Sequence, residues 1–310
     1  MLSFLPPFLR GCLSALLLGL NTLLLCLPLM VFSLSRFLIP VKAWHRLSMR
    51  ICIAIAEFWI SINSGWMKLT RPMDWQVNGL KGLKKDGWYL VTCNHQSWAD
   101  IFIVQHLLNR RIPMLKFFLK QELIWVPIIG QCWWALDFPL MKRYSKAYLD
   151  KYPEKRGEDL KATRKACEKF REVPVSVFNF MEGTRYTKAK HKQQQSPFRH
   201  LLKPRAGGTG FVLGAMGSQM NTMVNITIAY NGPIPTFWDF LCGKGDNVSI
   251  AIEPLPNPTQ YLGKDYSNDM EFREQFQHWV NELWTDKDNL LDSINSESSP
   301  KEAAYAEASG

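Results

Sequence analysis

Residues 11 to 35 contain no charged side chain, and Arg10 and Arg36 bracket them. In hydrocarbon every backbone N–H and C=O needs a partner within its own segment, so such a stretch is helical. At 1.5 Å per residue it reaches roughly 38 Å, enough to cross a hydrocarbon core of about 30 Å. A cleaved signal peptide fits poorly, because the apolar run is too long and no small-x-small site follows it. A buried helix of a soluble core is the competing reading. Pro28 lies inside the run, where it can kink the helix, so a re-entrant hairpin is compatible as well as a full span. Arg10 stands nearly alone on one side, whereas Arg36, Lys42, Arg46, Arg50, Lys68 and Arg71 follow on the other. The positive-inside rule then puts the C-terminal part on the cytoplasmic side. Ile51 to Ile62 carries Glu57 and has Trp44, Trp59 and Trp66 around it, which reads as an interfacial helix.

Three parts follow along the chain. Residues 1–70 are membrane-associated helices, with 11–35 transmembrane or re-entrant. Residues 71–292 form one domain, and 293–310, rich in Ser, Glu, Ala and Gly, a disordered tail. Within the middle part, strand-like runs alternate with helix-like ones, predicting an α/β fold with a mostly parallel sheet flanked by helices. Strands are expected near Trp75–Asn78, Trp88–Cys93, Pro113–Phe118, Val173–Met181 and Met223–Ile228. The apolar segment Trp125-Val126-Pro127-Ile128 is expected to pack. Lys188 to Arg199 reads as a polar loop, Gly157 to Glu172 as an amphipathic helix turning Leu160, Cys167 and Phe170 inward, and Phe272 to Trp284 as another. Lys203-Pro204-Arg205 and the glycines after it resemble a phosphate cradle. They lack the spacing of a nucleotide-binding loop.

Asn94-His95-Gln96-Ser97-Trp98-Ala99-Asp100 falls where the apolar run ending at Cys93 gives way to the helix-like stretch from Ile101. An imidazole with a pKa near 6.5 can accept a proton from a hydroxyl at neutral pH. A carboxylate on its other nitrogen fixes the tautomer and stabilises the imidazolium. No Ser or Cys occupies a nucleophile elbow nearby, so the pair would activate a substrate hydroxyl directly. A chance His-x4-Asp spacing or a capping histidine is the bland alternative. Glu182-Gly183-Thr184-Arg185 closes the second strand-like run; Gly183 permits a tight turn, and Arg185 offers a planar fork suited to phosphate. An ordinary turn with a solvated Glu–Arg pair is its alternative. Leu136-Asp137-Phe138-Pro139-Leu140-Met141-Lys142-Arg143 again puts cations past an apolar, strand-like run, so three polar clusters lie beyond the carboxyl ends of three candidate strands of the sheet. In open α/β sheets ligands bind beyond the carboxyl ends of strands.

In their order and spacing, Asn94-His95-x4-Asp100, the run ending in Lys142-Arg143, and Glu182-Gly183-Thr184-Arg185 resemble the motifs of the glycerolipid acyltransferase family, over roughly residues 75 to 255. The likeness is strongest to bacterial members. It implies His95 as general base with Asp100 orienting it, and Arg143, Glu182, Gly183, Thr184 and Arg185 binding the acceptor. It implies transfer of a fatty acyl group from acyl-CoA or acyl carrier protein to lysophosphatidic acid, giving phosphatidic acid at the bacterial inner membrane, with no metal or other cofactor. The family's fourth motif carries a proline within a strand. Met223–Ile228 has none, so no residue is carried over from it. Acylation of another lysophospholipid is the alternative within the family.

The net charge of +10 is concentrated between Lys142 and Arg205, where 18 Lys and Arg face 7 Asp and Glu. Anionic membrane lipids, a lysolipid phosphate and the phosphates of the thioester donor suit this block better than nucleic acid, which is not expected as a partner. A non-catalytic basic membrane adaptor is the reading from outside the enzymes. The 7 cysteines include no Cys-x2-Cys pair, which suggests neither a disulfide framework nor a zinc site.

Overall fold

The first two helices, α1 (Pro7–Leu38) and α2 (Lys42–Thr70), form an antiparallel hairpin. The Leu2 N–H donates to the Leu69 carbonyl at 2.8 Å, pairing the start of one with the end of the other. The chain is described here from a computed structural model covering residues 2–141, 148, 151–152, 167–168, 170, 173–220, 222–256, 258–264, 266 and 269–308. Both helices are long and apolar enough to cross a membrane. The helix continues past Pro28, and the chain reverses at 39–41 instead. Ile51 to Ile62 is the middle of α2 rather than a short helix of its own. Between the helices, buried Asn21 donates to Asn63 Oδ1 at 2.8 Å and to the Trp59 carbonyl at 3.0 Å. Ser48 on α2 donates to the Phe32 carbonyl of α1, and Gly11 leaves room for Trp238 and Cys242 against α1.

The hairpin lies along the rest of the molecule. Arg36, at the far end of α1, reaches Asp137 at 3.2 Å and the Ala135 carbonyl at 2.8 Å. Arg10, near its start, donates to the Thr70 carbonyl, and Phe8 meets Trp238 edge-on. On α2, Glu57 pairs with Lys85 at 3.1 Å. The opposite face of α1 exposes Leu16, Leu23, Leu24, Leu27 and Val31.

After the hairpin come β1 (Trp75–Asn78), β2 (Tyr89–Cys93), α3 (Ala99–Leu108), β3 (Leu115–Phe117), β4 (Leu119–Lys120), α4 (Ile129–Ala135), β5 (Leu140–Met141) and β6 (Ser176–Phe180). Then follow α5 (Lys188–Gln194), α6 (Gly207–Met216), β7 (Thr222–Tyr230), α7 (Phe237–Leu241), β8 (Val248–Pro256) and α8 (Met270–Ala308). The main sheet has the order β1-β8-β7-β2-β6-β3. Its pairings are parallel except β7 with β8. The mostly parallel α/β architecture expected from the sequence is therefore the one found.

Alternation along the strands feeds two cores. Tyr89, Val91, Cys93, Phe178, Val224, Ile226, Ile228 and Tyr230 pack on the side of the hairpin and α3. Leu90, Val177, Met223 and Ala229 pack on the other, under α6 and α8. Strands buried on both faces read as continuous apolar runs because helices cover each side.

Four expectations are corrected. The run before Lys142-Arg143 does not join the main sheet; its β5 pairs only with β4 in a two-stranded ribbon. Lys188–Gln194 is a helix, started by Thr187, whose hydroxyl accepts from Lys190 N at 3.2 Å. Trp125 does not pack: it is 83% exposed, with Val126 and Ile128 exposed beside it. The tail from Ser293 continues α8 to Ala308; its Ala, Glu and Lys are strong helix formers, and extending an existing helix avoids a new nucleus. The helix expected over Gly157 to Glu172 falls largely outside the described residues, of which Cys167 and Phe170 are buried.

Candidate active site

Asn94 ends β2 by standing in for a strand. Its side-chain oxygen accepts from Ile228 N and its amide donates to Ile228 O, each at 2.9 Å, so the edge of β7 stays paired where β2 stops. An apolar residue there would leave two buried backbone groups without partners. The main chain is thereby freed to turn, and His95 is set at the carboxyl end of the sheet.

Asp100 lies in the first turn of α3, fully buried. Its Oδ2 accepts from Gln96 N at 2.7 Å and Ser97 N at 2.9 Å, folding the intervening loop around the carboxylate. The same oxygen lies 2.9 Å from His95 Nδ1. An oxygen already accepting two N–H groups is an acceptor for the third, so Nδ1 carries the proton and Nε2 the lone pair. Tyr230, from β7, donates its hydroxyl to Asp100 Oδ1 at 2.6 Å. The imidazole stacks on Phe180 at the end of β6, with centroids 3.8 Å apart and planes 13° from parallel.

The turn after β6 holds the same histidine by its backbone. Glu182 Oε1 accepts from His95 N at 2.9 Å, and Tyr186 N donates to His95 O at 2.7 Å, so both sides of this residue's main chain are fixed by one loop. Glu182 Oε2 accepts from Leu202 N at 3.0 Å. Burial pushes the Glu182 carboxyl up to about 8, against the downward pull of those two N–H groups. Gly183 adopts φ +67°, which strains residues with a Cβ. Thr184 Oγ1 accepts from Lys190 Nζ at 2.7 Å, and Lys190 also donates to the Arg185 carbonyl. Arg185 is exposed, its guanidinium 4.9 Å from the centroid of Trp98, three residues beyond His95.

His95, Asp100, Glu182, Gly183, Thr184 and Arg185 are thus brought to one end of the sheet, although β2 and β6 are far apart in sequence. One role changes. The resemblance implies that Glu182 binds the acceptor, but it is wholly buried with both oxygens taken by backbone, so it shapes the loop instead. Arg143 lies outside the described residues. Sequence reasoning missed Tyr230, which sits 130 residues from Asp100 and in a strand that reads as ordinary core. It also gave no function to Asn94 or Phe180, whose contributions rest on tertiary neighbours.

The Acyltransferase family model matches residues 74–224. Among curated proteins, the chain is 24% identical over 213 residues to 1-acyl-sn-glycerol-3-phosphate acyltransferase delta of Homo sapiens, covering 64% of this chain and 51% of that protein. It is 25% identical over 220 residues to the epsilon protein of Mus musculus, covering 64% of this chain and 55% of that one. The chain thus spans about half the length of these relatives. The crystal structure of the 1-acyl-sn-glycerophosphate acyltransferase PlsC of Thermotoga maritima aligns with a TM-score of 0.44 and 18% identity, over 85% of this chain and 97% of that one.

Proposed function

From the match of residues 74–224 to the Acyltransferase family model we propose that the protein acylates the free glycerol hydroxyl of lysophosphatidic acid from a fatty acyl thioester, producing phosphatidic acid. The observation that carries this reading is the 2.9 Å bond from His95 Nδ1 to buried Asp100, which leaves Nε2 as a base at the mouth of the sheet. In this reaction Nε2 takes the hydroxyl proton as the oxygen attacks the thioester carbonyl. Asp100 stabilises the resulting imidazolium. When the tetrahedral intermediate collapses, the C–S bond breaks and the imidazolium returns its proton to the departing sulfur. CoA and acyl carrier protein both supply the required thioester.

Arg185 holds the acceptor. Its exposed guanidinium lies 4.9 Å from the centroid of the Trp98 ring, and its N–H donors suit a phosphate. Thr184 stands beside it in the same loop, with Lys190 of α5 bonded to it, and the basic block adds attraction for anionic lipid. Positioning the hydroxyl in this way removes much of the entropic barrier to transfer.

The lipid reaches this site from a membrane on which the enzyme sits. α1 meets the domain at both ends, through Phe8 against Trp238 and Arg36 against Asp137, so its exposed apolar face, with Trp125, dips into the interface while the sheet stays in water. With the basic residues on the domain side, the surface occupied is the cytoplasmic face of a bacterial inner membrane.

The test is incubation of the purified protein in lipid–detergent micelles with a labelled acyl thioester and a panel of lysolipids. Preferential conversion of lysophosphatidic acid is expected. Faster acylation of a lysolipid with a glycerol or ethanolamine headgroup would displace the acceptor assignment, and thioester consumption independent of any lysolipid would displace the reaction.

A further inference from the structure

We propose that Tyr230 is a positioning residue for transfer, the group that orients the Asp100 carboxylate toward His95; this rests on the acyltransferase reading above. The two oxygens of Asp100 are used unequally. Oδ2 serves His95 Nδ1 and the backbone N–H groups of Gln96 and Ser97, whereas the partner found for Oδ1 is the Tyr230 hydroxyl at 2.6 Å. A carboxylate can rotate about its Cβ–Cγ bond, exchanging its oxygens. A donor fixed on Oδ1 opposes that rotation and keeps Oδ2 in the plane of the imidazole.

Tyr230 is well placed to be such a fixed donor. It is the last residue of β7, and its backbone is held in register opposite Val248 of β8. Its ring belongs to the core shared with Ile226, Ile228, Ile250 and α3. The element next to it is anchored too, since Ser97 Oγ donates to the Pro235 carbonyl at 2.6 Å, joining the catalytic loop to the segment that follows β7. Burial and the adjacent carboxylate push the phenol well above its ordinary range, so it stays protonated and can only donate to Asp100. The hydroxyl donates to Asp100 and not to the His95 ring. Its effect passes through Asp100, as outer hydrogen bonds fix the ligating atoms of metal sites.

The experiment uses the full chain in micelles and compares wild type, His95→Ala, Tyr230→Phe, Asp100→Ala and the double variant Asp100→Ala/Tyr230→Phe. Tyr230→Phe keeps the ring and removes only the oxygen. A ten- to hundredfold lower kcat is expected, the scale seen when an outer hydrogen bond is removed, with the KM for both thioester and lysolipid within twofold of wild type. On the Asp100→Ala background the same change should cost less than twofold, because the hydroxyl has lost the group through which it acts. An unchanged kcat in Tyr230→Phe, a loss that resides in either KM, or an equal loss on both backgrounds overturns the assignment. If His95→Ala transfers like wild type, the general-base reading fails and this proposal with it. An inactive His95→Ala beside a fully active Tyr230→Phe removes Tyr230 alone.

Discussion

Glu182→Gln offers a test in which sign and size both follow from one buried carboxyl. The ordinary value of this group is 4.5, and burial raises it to about 8 in the folded protein. Between those values the native state keeps a proton that the unfolded chain has released. Unfolding then takes up no proton from this site but gives one away, so stability falls as pH rises through the window. The slope is about 1.4 kcal/mol per pH unit, and the whole window amounts to ~5 kcal/mol. For 310 residues the unfolding entropy is roughly 0.65 kcal/mol per kelvin. The slope therefore corresponds to a Tm decline of about 2 °C per unit. Gln keeps the shape and one carbonyl oxygen for the His95 N–H, faces the Leu202 N–H with an amide that cannot accept from it, and has no proton to lose. Lys287, lowered to about 8 by burial, has the opposite effect above that pH, where the unfolded chain retains its proton and stability rises; it is present in both proteins. Thermal unfolding in detergent from pH 5 to pH 9 should place the variant somewhat below wild type at the acid end, because the Leu202 N–H has lost its acceptor. The difference between the two curves should then shift by ~6 °C in favour of the variant by the alkaline end. Curves that run parallel across this range would refute the argument from burial.

Other outcomes follow from the same geometry. Asp100→Asn keeps the hydrogen-bonding shape but removes the charge that favours the imidazolium, and kcat should fall by roughly 10²–10⁴, the upper end being that of the equivalent change in a serine protease; a loss below tenfold would deny the pair its role. Arg185→Ala should raise the acceptor KM by about tenfold or more while leaving the thioester KM within twofold, and equal effects on both would remove the phosphate contact. Trp125→Ser deletes an aromatic side chain that is 83% exposed. Partition onto anionic vesicles should weaken by tenfold or so, given about 1.5–3 kcal/mol for burying a large apolar side chain, with turnover in micelles unchanged; undiminished vesicle binding would place the membrane face elsewhere.

Much of the architecture could be read from the chain because its signals are local. β2 and β6 are largely apolar runs that end in polar turns, and the helix that carries Asp100 starts just past the first of them. His95 and Asp100 are legible because five residues across a turn bring two side chains together whatever the rest of the protein does. Glu182 shows where that reasoning ends: its character as a ligand or as a brace depends on the His95 and Leu202 N–H groups it meets across the sheet. Tyr230 is another instance, an inward aromatic whose hydroxyl matters only because α3 places Asp100 opposite it. Trp125 fails for a different reason. An apolar residue signals burial, and the sequence does not say whether protein or lipid does the burying. The hairpin turn at 39–41 was hidden by Pro28, which the long helix accommodates because neighbouring packing, not propensity alone, maintains it.

The central claim is that one imidazole removes a proton from a lipid hydroxyl. Purified wild-type protein and His95→Ala, with equal unfolding midpoints and equal vesicle binding, should be given labelled thioester and lysophosphatidic acid, and phosphatidic acid measured over time. Steady product is expected from the first and at least a thousandfold less from the second, of the order lost when a catalytic base is removed. Comparable rates from the two would contradict it.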